Sequence, residues 1–167
     1  MVRGYVNSKT DESDRDLWRT PLALYATLHR EFQFTCDVAA SDENHLAETH
    51  INAEMDALDP ATLWGLVNFC NPPYSNPAAW IDRAILESKN GKTTVMLVPA
   101  DTSTRWFKTA FKAASEIRFV SGRISFIQHS SGKKGAGNNK GSVIFVFRAF
   151  YSGYRSVALV DRESLIA

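Results

Sequence analysis

Only two cysteines occur in the 167 residues, Cys36 and Cys70, and neither has the spacing of a metal-ligand set. Both lie beside apolar residues, so buried free thiols are expected rather than a disulfide framework or a zinc site. The chain has no long apolar run, which excludes a transmembrane helix. The polar stretch from Val2 to Asp16 has no apolar core of the kind a signal peptide carries, so a cytoplasmic protein is expected. Charge bias is missing too, with a net charge of +1. Any surface for a polyanion must therefore come from local clustering of cations and not from the total. Glycine is absent from Asp37-Val38-Ala39-Ala40-Ser41.

What remains is ordinary in proportion and particular in order. Hydrophobic residues at 44% and charged residues at 22% suit a globular chain of this length, and one catalytic domain over residues 17–167 is expected after a loose polar arm at 1–16. Thr20-Pro21 has the form of an N-cap with proline opening a helix, and Leu22, Leu24, Tyr25, Leu28 and Phe32 give its apolar stripe to about Glu31. Phe34 to Ala39 reads as a buried strand. Ser41 to Thr49 reads as a loop with a short helix, and residues 50–59 are ambiguous. A second short strand ends at Cys70.

Asn76-Pro77 opens a helix carrying Trp80, Ile81, Ala84, Ile85 and Leu86, closed by Asn90-Gly91. Thr93 to Pro99 is a near-continuous apolar strand of the parallel, doubly covered type. Ser103 to Ala114 forms a helix with Trp106, Phe107 and Phe111 inward, and Ile117 to Val120 is a strand. Ile124 to Gln128 alternates, and Val143 to Phe147 is read as its hairpin partner across the glycine- and lysine-rich loop Ser130 to Gly141. The order is that of a compact, doubly wound α/β fold, mostly parallel with an antiparallel C-terminal hairpin.

The chemistry concentrates in Phe69-Cys70-Asn71-Pro72-Pro73-Tyr74-Ser75-Asn76. Two prolines cannot continue a sheet, so the backbone turns out at the strand's C-terminal end, where ligands bind in open α/β sheets. The Asn71 side-chain oxygen and the Pro72 carbonyl are suited to accept both hydrogens of one amino group, with Tyr74 stacked on the ring that bears it. An aromatic amine is a poor nucleophile because its lone pair is delocalised. Two acceptors out of the ring plane favour the pyramidal form that frees it.

With these residues in place, the chain resembles the phage-type DNA N6-adenine methyltransferases, whose catalytic motif is Asp or Asn followed by Pro-Pro-Tyr. The resemblance spans about residues 16–147 and rests on ordered blocks: Trp18 to Pro21, Phe34 to Ser41, Asp56 to Leu58, Phe69 to Asn76, Val98 to Ser103 and Gly122 to Phe126. It implies a Rossmann-like class I methyltransferase sheet, S-adenosyl-L-methionine as cofactor, DNA as substrate, a phage or prophage origin, and no metal. It implies Asn71, Pro72, Pro73 and Tyr74 as catalytic. Trp18, Thr20, Pro21, Asp37, Ala39, Ala40, Asp56 and Asn71 are implied on the cofactor side, with Glu43 or Glu54 open as the acid for its ribose. On the substrate side the resemblance and the cationic loop point to Asp101, Ser103, Trp106, Arg123, Lys133, Lys134 and Lys140. An RNA base or a protein glutamine remains an alternative acceptor. So does a nucleic-acid-binding relative that has lost catalysis, since the turn after the first strand lacks glycine.

Overall fold

The computed structural model describes residues 18–128 and 140–167. The arm at 1–16 and Lys133 and Lys134 lie outside the described residues. A two-residue strand β1 (Trp18–Arg19) leads into helix α1 (Leu22–Phe32), then β2 (Cys36–Asp37), β3 (Val67–Cys70), α2 (Pro77–Lys89), β4 (Thr93–Pro99) and α3 (Arg105–Ala113). The chain finishes with β5 (Glu116–Ser121), β6 (Ile127–Gln128), β7 (Ser142–Phe147), β8 (Ser156–Asp161) and a short helix α4 (Arg162–Ile166). Six strands form one sheet in the order β2-β3-β4-β7-β5-β8. The pairs β2/β3, β3/β4 and β5/β8 are parallel, while β7 runs antiparallel to both β4 and β5.

The period-two alternation of the central strands feeds two apolar layers. Met96 and Val98 of β4, with Val143, Phe145 and Phe147 of β7, pack with Ile81 and Ala84 of α2 and Phe107 and Ala110 of α3. On the other face Val95, Leu97, Ile144 and Val146 meet Leu24, Tyr25, Leu28 and Phe32 of α1 and Leu165 of α4. The doubly wound α/β expectation is met, and Cys36 and Cys70 are buried free thiols as read.

Several local expectations are corrected. Helix α1 begins one residue late, Pro21 stands at its N-cap, and no side chain caps it. Thr20 is therefore not a cap. The strand expected over Phe34 to Ala39 contracts to Cys36–Asp37. No helix forms between Ser41 and Thr49; the segment turns through a Ser41/Asn44 bridge and returns as a parallel bridge between Asp37 and His50. That return explains how only 33 residues separate Asp37 from Asn71, since one bridge stands where further strand and helix units would lie. Ile124 to Gln128 does not form a hairpin with Val143 to Phe147: Ile127 and Gln128 pair with Arg19 and Trp18. The antiparallel finish is made by β5 and β7 instead. Being buried along its whole length, β7 has to sit between two strands and not at an edge.

Candidate active site

The strand ends fix the site. β2, β3 and β4 are parallel, so Asp37, Asn71 and Ala100 leave the sheet at one edge. A cavity of about 560 Å³ opens there, walled by Trp18, Thr20, Asp37 to Ser41, Asn71, Pro73 and Trp80. The segments 43–46 and 51–57 supply Glu43, Asn44, Leu46, Ile51, Asn52, Asp56 and Ala57 to the same cavity. Trp18, Thr20, Asp37, Ala39, Ala40, Asp56 and Asn71 thus line one cavity. Pro21 is not part of the wall. Of the two open acids Glu43 lines the cavity, whereas Glu54 is exposed and outside it.

Asn71 is held by its amide nitrogen. Nδ2 donates to the Trp18 carbonyl at 3.3 Å and to Thr20 Oγ1 at 3.1 Å. A backbone carbonyl only accepts, so this pairing fixes which end of the amide is nitrogen. The other end, Oδ1, is buried without a protein partner. A buried acceptor left unpaired costs about 1–3 kcal/mol, which makes it a ready seat for a donor. Trp18 is kept in place by the β1/β6 ladder, and so Ile127 and Gln128 indirectly set the orientation of Asn71.

Tyr74 follows three residues on, its ring half-buried and set edge-on to Phe126 at 6.3 Å between centroids. Its hydroxyl is buried without a partner, and burial raises its pKa well above the usual phenolic value. Phe126 was not singled out from sequence beyond its place in the Gly122 to Phe126 block. Its alternation with Ile124 signalled an inward apolar side chain but not what it faces.

Asp37 is 4% exposed. Oδ2 accepts from the Leu46 amide at 3.1 Å and Oδ1 from the Ala39 amide at 3.4 Å. Burial lifts its carboxyl to about 6, and the two amides and the nearby His50 and His45 only partly oppose this. Among the described residues, the non-glycine positions with positive φ are Gln33, Asp56 and Phe150. None belongs to the Asp37 to Ser41 turn, so that turn has no conformational need for glycine, and alanine suffices where the backbone borders the cavity. Asp56 does take positive φ, at 48°, and its own carboxylate accepts from the Leu58 amide at 3.0 Å.

The wall carrying Asp56 and Ala57 is braced from behind. Trp64 Nε1 donates to the Ala57 carbonyl at 2.9 Å, and Arg83 donates to the carbonyls of Asp59 at 2.8 Å and Thr62 at 2.7 Å. Arg83 Nε also donates to Glu87 at 2.9 Å, and its guanidinium lies over the Trp64 ring. Sequence reading did not find this brace. Its signal was the Arg83/Glu87 pair at helical spacing on a face otherwise apolar.

The expected substrate residues are distributed differently. Asp101, Ser103 and Trp106 follow β4 at the same edge, outside the cavity wall. Asp101 accepts from the Ser103 hydroxyl at 2.6 Å and pairs with Lys140, both holding its carboxyl below the usual range. Lys140 is thus engaged with an acid. Trp106 is half-buried against Phe107 at 5.9 Å between centroids, and Arg123 is exposed, its carbonyl accepting from Arg162. Among the described residues no cluster of three His, Cys, Asp or Glu side chains is arranged to hold a metal ion, and no helix is long and apolar enough to cross a membrane.

Comparison with known proteins places this arrangement. The chain is 36% identical over 169 aligned residues to a DNA N-6-adenine-methyltransferase of Escherichia phage T1, covering 90% of this chain and 70% of that protein. It is 36% identical over 155 residues to a DNA N-6-adenine-methyltransferase of Haemophilus phage HP1 (strain HP1c1), covering 89% of each. The family model described as DNA N-6-adenine-methyltransferase (Dam) matches residues 7–167, so the chain belongs to the DNA N-6-adenine-methyltransferase family.

Proposed function

We propose that the protein is an adenine-specific DNA methyltransferase that uses S-adenosyl-L-methionine and acts at the N6 amino group through Asn71, Pro72, Pro73 and Tyr74. The observation that carries the reading is the Asn71 amide, clamped through its nitrogen with its oxygen left as a buried acceptor. That oxygen and the Pro72 carbonyl accept the two amino hydrogens of a flipped-out adenine. Accepting both out of the ring plane localises the lone pair on N6. Tyr74, propped edge-on by Phe126, offers its ring face to the base. Asn71 and Pro72 would hold the amino group with its lone pair directed to the methyl that a bound cofactor would supply, and the amino proton then lost would pass to solvent. The protein supplies orientation and acceptors, with no strong base required.

The cavity beside Asn71 suits the cofactor by its donor set. Thr20 and the buried Asp37 flank the small Ala39-Ala40 turn at one end, and Glu43 and Asp56 offer acceptors for hydroxyl and amino groups. Trp18, Trp80, Leu46 and Ile51 give it apolar walls. When bound, S-adenosyl-L-methionine supplies an electrophilic methyl group on a sulfonium that departs as a neutral thioether. Glu43 is the acid for the ribose hydroxyls, because it reaches the cavity and Glu54 does not. Asp101, Ser103 and Trp106 shape the approach of the base, and Arg123, Lys133, Lys134 and Lys140 serve the phosphates. With phage enzymes among its relatives, the compartment that fits this reading is the host-cell cytoplasm.

The test is transfer of labelled methyl from S-adenosyl-L-methionine to unmethylated DNA, with nucleoside analysis. N6-methyladenine that disappears in Asn71→Ala is expected. Transfer to RNA or to a protein glutamine, and none to DNA, would overturn the reading. Absence of cofactor binding would point to a relative without catalysis.

A further inference from the structure

Resting on DNA as the substrate, we infer that the outer face of α3 is a second, separate DNA-backbone surface, with Arg105, Lys108 and Lys112 contacting phosphates of the duplex beside the target adenine.

Helix α3 buries Phe107 and Ala110 and half-buries Trp106 and Phe111, while Arg105, Lys108, Thr109 and Lys112 are exposed. Spacings of three, four and seven residues put these four side chains on one face. An ordinary solvated helix face mixes signs and pairs them. Here no acid occurs between Thr102 and Ser115. The acids that flank the helix in sequence are already engaged, Asp101 with Lys140 and Glu116 with Arg118 and Arg148. On the neighbouring α2 the exposed acid is Asp82.

Several other cations on the described surface are paired with acids. Arg83 and Lys92 meet Glu87, Arg118 meets Glu31 and Glu116, and Arg162 meets Glu163. No ion pair with a described residue forms at Arg105, Lys108 or Lys112. In a chain of net charge +1, this gathers three cations without an ion pair on one face of a single helix. Arg155 extends it, with a guanidinium that donates to the Ala114 and Lys112 carbonyls and lies over the Phe111 ring.

Position and length suit the task. The helix starts after β4, at the sheet edge where Asn71 and Tyr74 leave β3, and Thr104 caps it by accepting from the Phe107 amide. From Arg105 to Lys112 the axis advances about 10 Å at 1.5 Å per residue, comparable with about three phosphates of one strand. Phosphate contacts of this kind position a duplex and carry no sequence information.

The test compares the parent enzyme with Lys108→Gln/Lys112→Gln, with Thr109→Glu and, as a control elsewhere on the surface, with Lys89→Gln. Binding to a duplex holding one target site is measured across a salt series, together with methyl transfer at saturating DNA. Expected for the double variant is a salt slope smaller by about 1.8 and affinity about tenfold weaker, with kcat, cofactor affinity and the methylated sequence unchanged. Thr109→Glu should weaken binding as well, and Lys89→Gln should not. Parental affinity and slope in both α3 variants, with methylation of DNA intact in the parent, would overturn the α3 surface while leaving the enzyme's function standing. A parent that neither binds nor methylates DNA would overturn both.

Discussion

Thr20 Oγ1 accepts a hydrogen bond from Asn71 Nδ2 at 3.1 Å, joining the residue ahead of the Pro21 N-cap of α1 to the first residue after β3. The contact fixes the direction of the free Asn71 oxygen. Thr20→Val keeps the shape and removes the acceptor, so the amide retains only the Trp18 carbonyl. The single-turnover methyl-transfer rate should fall about tenfold, equivalent to about 1.4 kcal/mol. Asn71→Ala should cost about 10²–10³ in rate, as for loss of one group that steadies a transition state. A Thr20→Val enzyme with the parental rate and altered cofactor affinity alone would show that Thr20 serves only the cofactor.

The Tyr74 hydroxyl is buried without a partner, so Tyr74→Phe removes a polar group that gains nothing in the free enzyme. Thermal melting should show a stability unchanged or raised by up to about 1 kcal/mol, and methyl transfer within about threefold of parental. Tyr74→Ala should lose transfer by far more, because the ring and its contact with Phe126 disappear together. A large loss of rate in Tyr74→Phe would assign the hydroxyl itself to the reaction.

Burial raises the Asp37 carboxyl from 3.8 to about 6, so the native state holds this proton more tightly than the unfolded chain does. Its contribution to stability is full below pH 4 and is lost as pH rises through about 6. The loss is on the order of 3 kcal/mol for a shift of about two units. Urea unfolding at pH 4.5 and pH 7 should reveal this slope in the parent and a flatter profile in Asp37→Asn, which has no proton to release. Identical profiles would mean that the carboxylate is better solvated than its burial implies.

Arg83 ties α2 to the cavity wall by two backbone carbonyls and to Glu87 by its Nε. Arg83→Lys keeps the charge opposite Glu87 and loses the divergent donors, so stability should drop by about 1–3 kcal/mol. Calorimetry should find weaker cofactor binding, with DNA affinity unchanged. Arg83→Met, which leaves Glu87 with Lys92 alone and removes every donor to the two carbonyls, should cost more than Arg83→Lys. Equal weakening of cofactor and DNA binding in Arg83→Lys would mean that the brace supports the whole sheet edge.

Periodicity and punctuation made most of the fold legible. Proline-opened and Asn-Gly-closed stretches became α2, and the apolar run from Thr93 became the doubly covered β4. The same principle would have corrected the hairpin: Val143 to Phe147 is as continuously apolar as β4, and a strand buried on both faces must be central. Alternation at Ile124 to Gln128 was real, but its partner is a two-residue strand too short to leave a pattern. Residues after Phe147 carried no reading, because β8 is exposed along most of its length and its apolar residues have no period to report. In the site, Asn71 was legible from its place between a strand end and two prolines, and Asp37 from the family resemblance. Leu46, Ile51 and Trp80 were not, since they reach the cavity through one long-range bridge between Asp37 and His50 and through the docking of α2.

The place of β7 bears on how the chain is made. Before Ser142 to Phe147 emerges, the block β2-β3-β4 and strand β5 share no ladder, since β7 is the partner that lies between them. A nascent chain therefore carries two open sheet edges until most of its length is available, and the two halves join by insertion of a strand into the middle, with only β8 left to add at the rim. Such late, sequence-distant pairing makes folding slow and the growing chain sensitive to aggregation. Truncation ahead of Ser142 removes the seam of the sheet, so premature termination leaves two separate fragments of architecture and no partial enzyme.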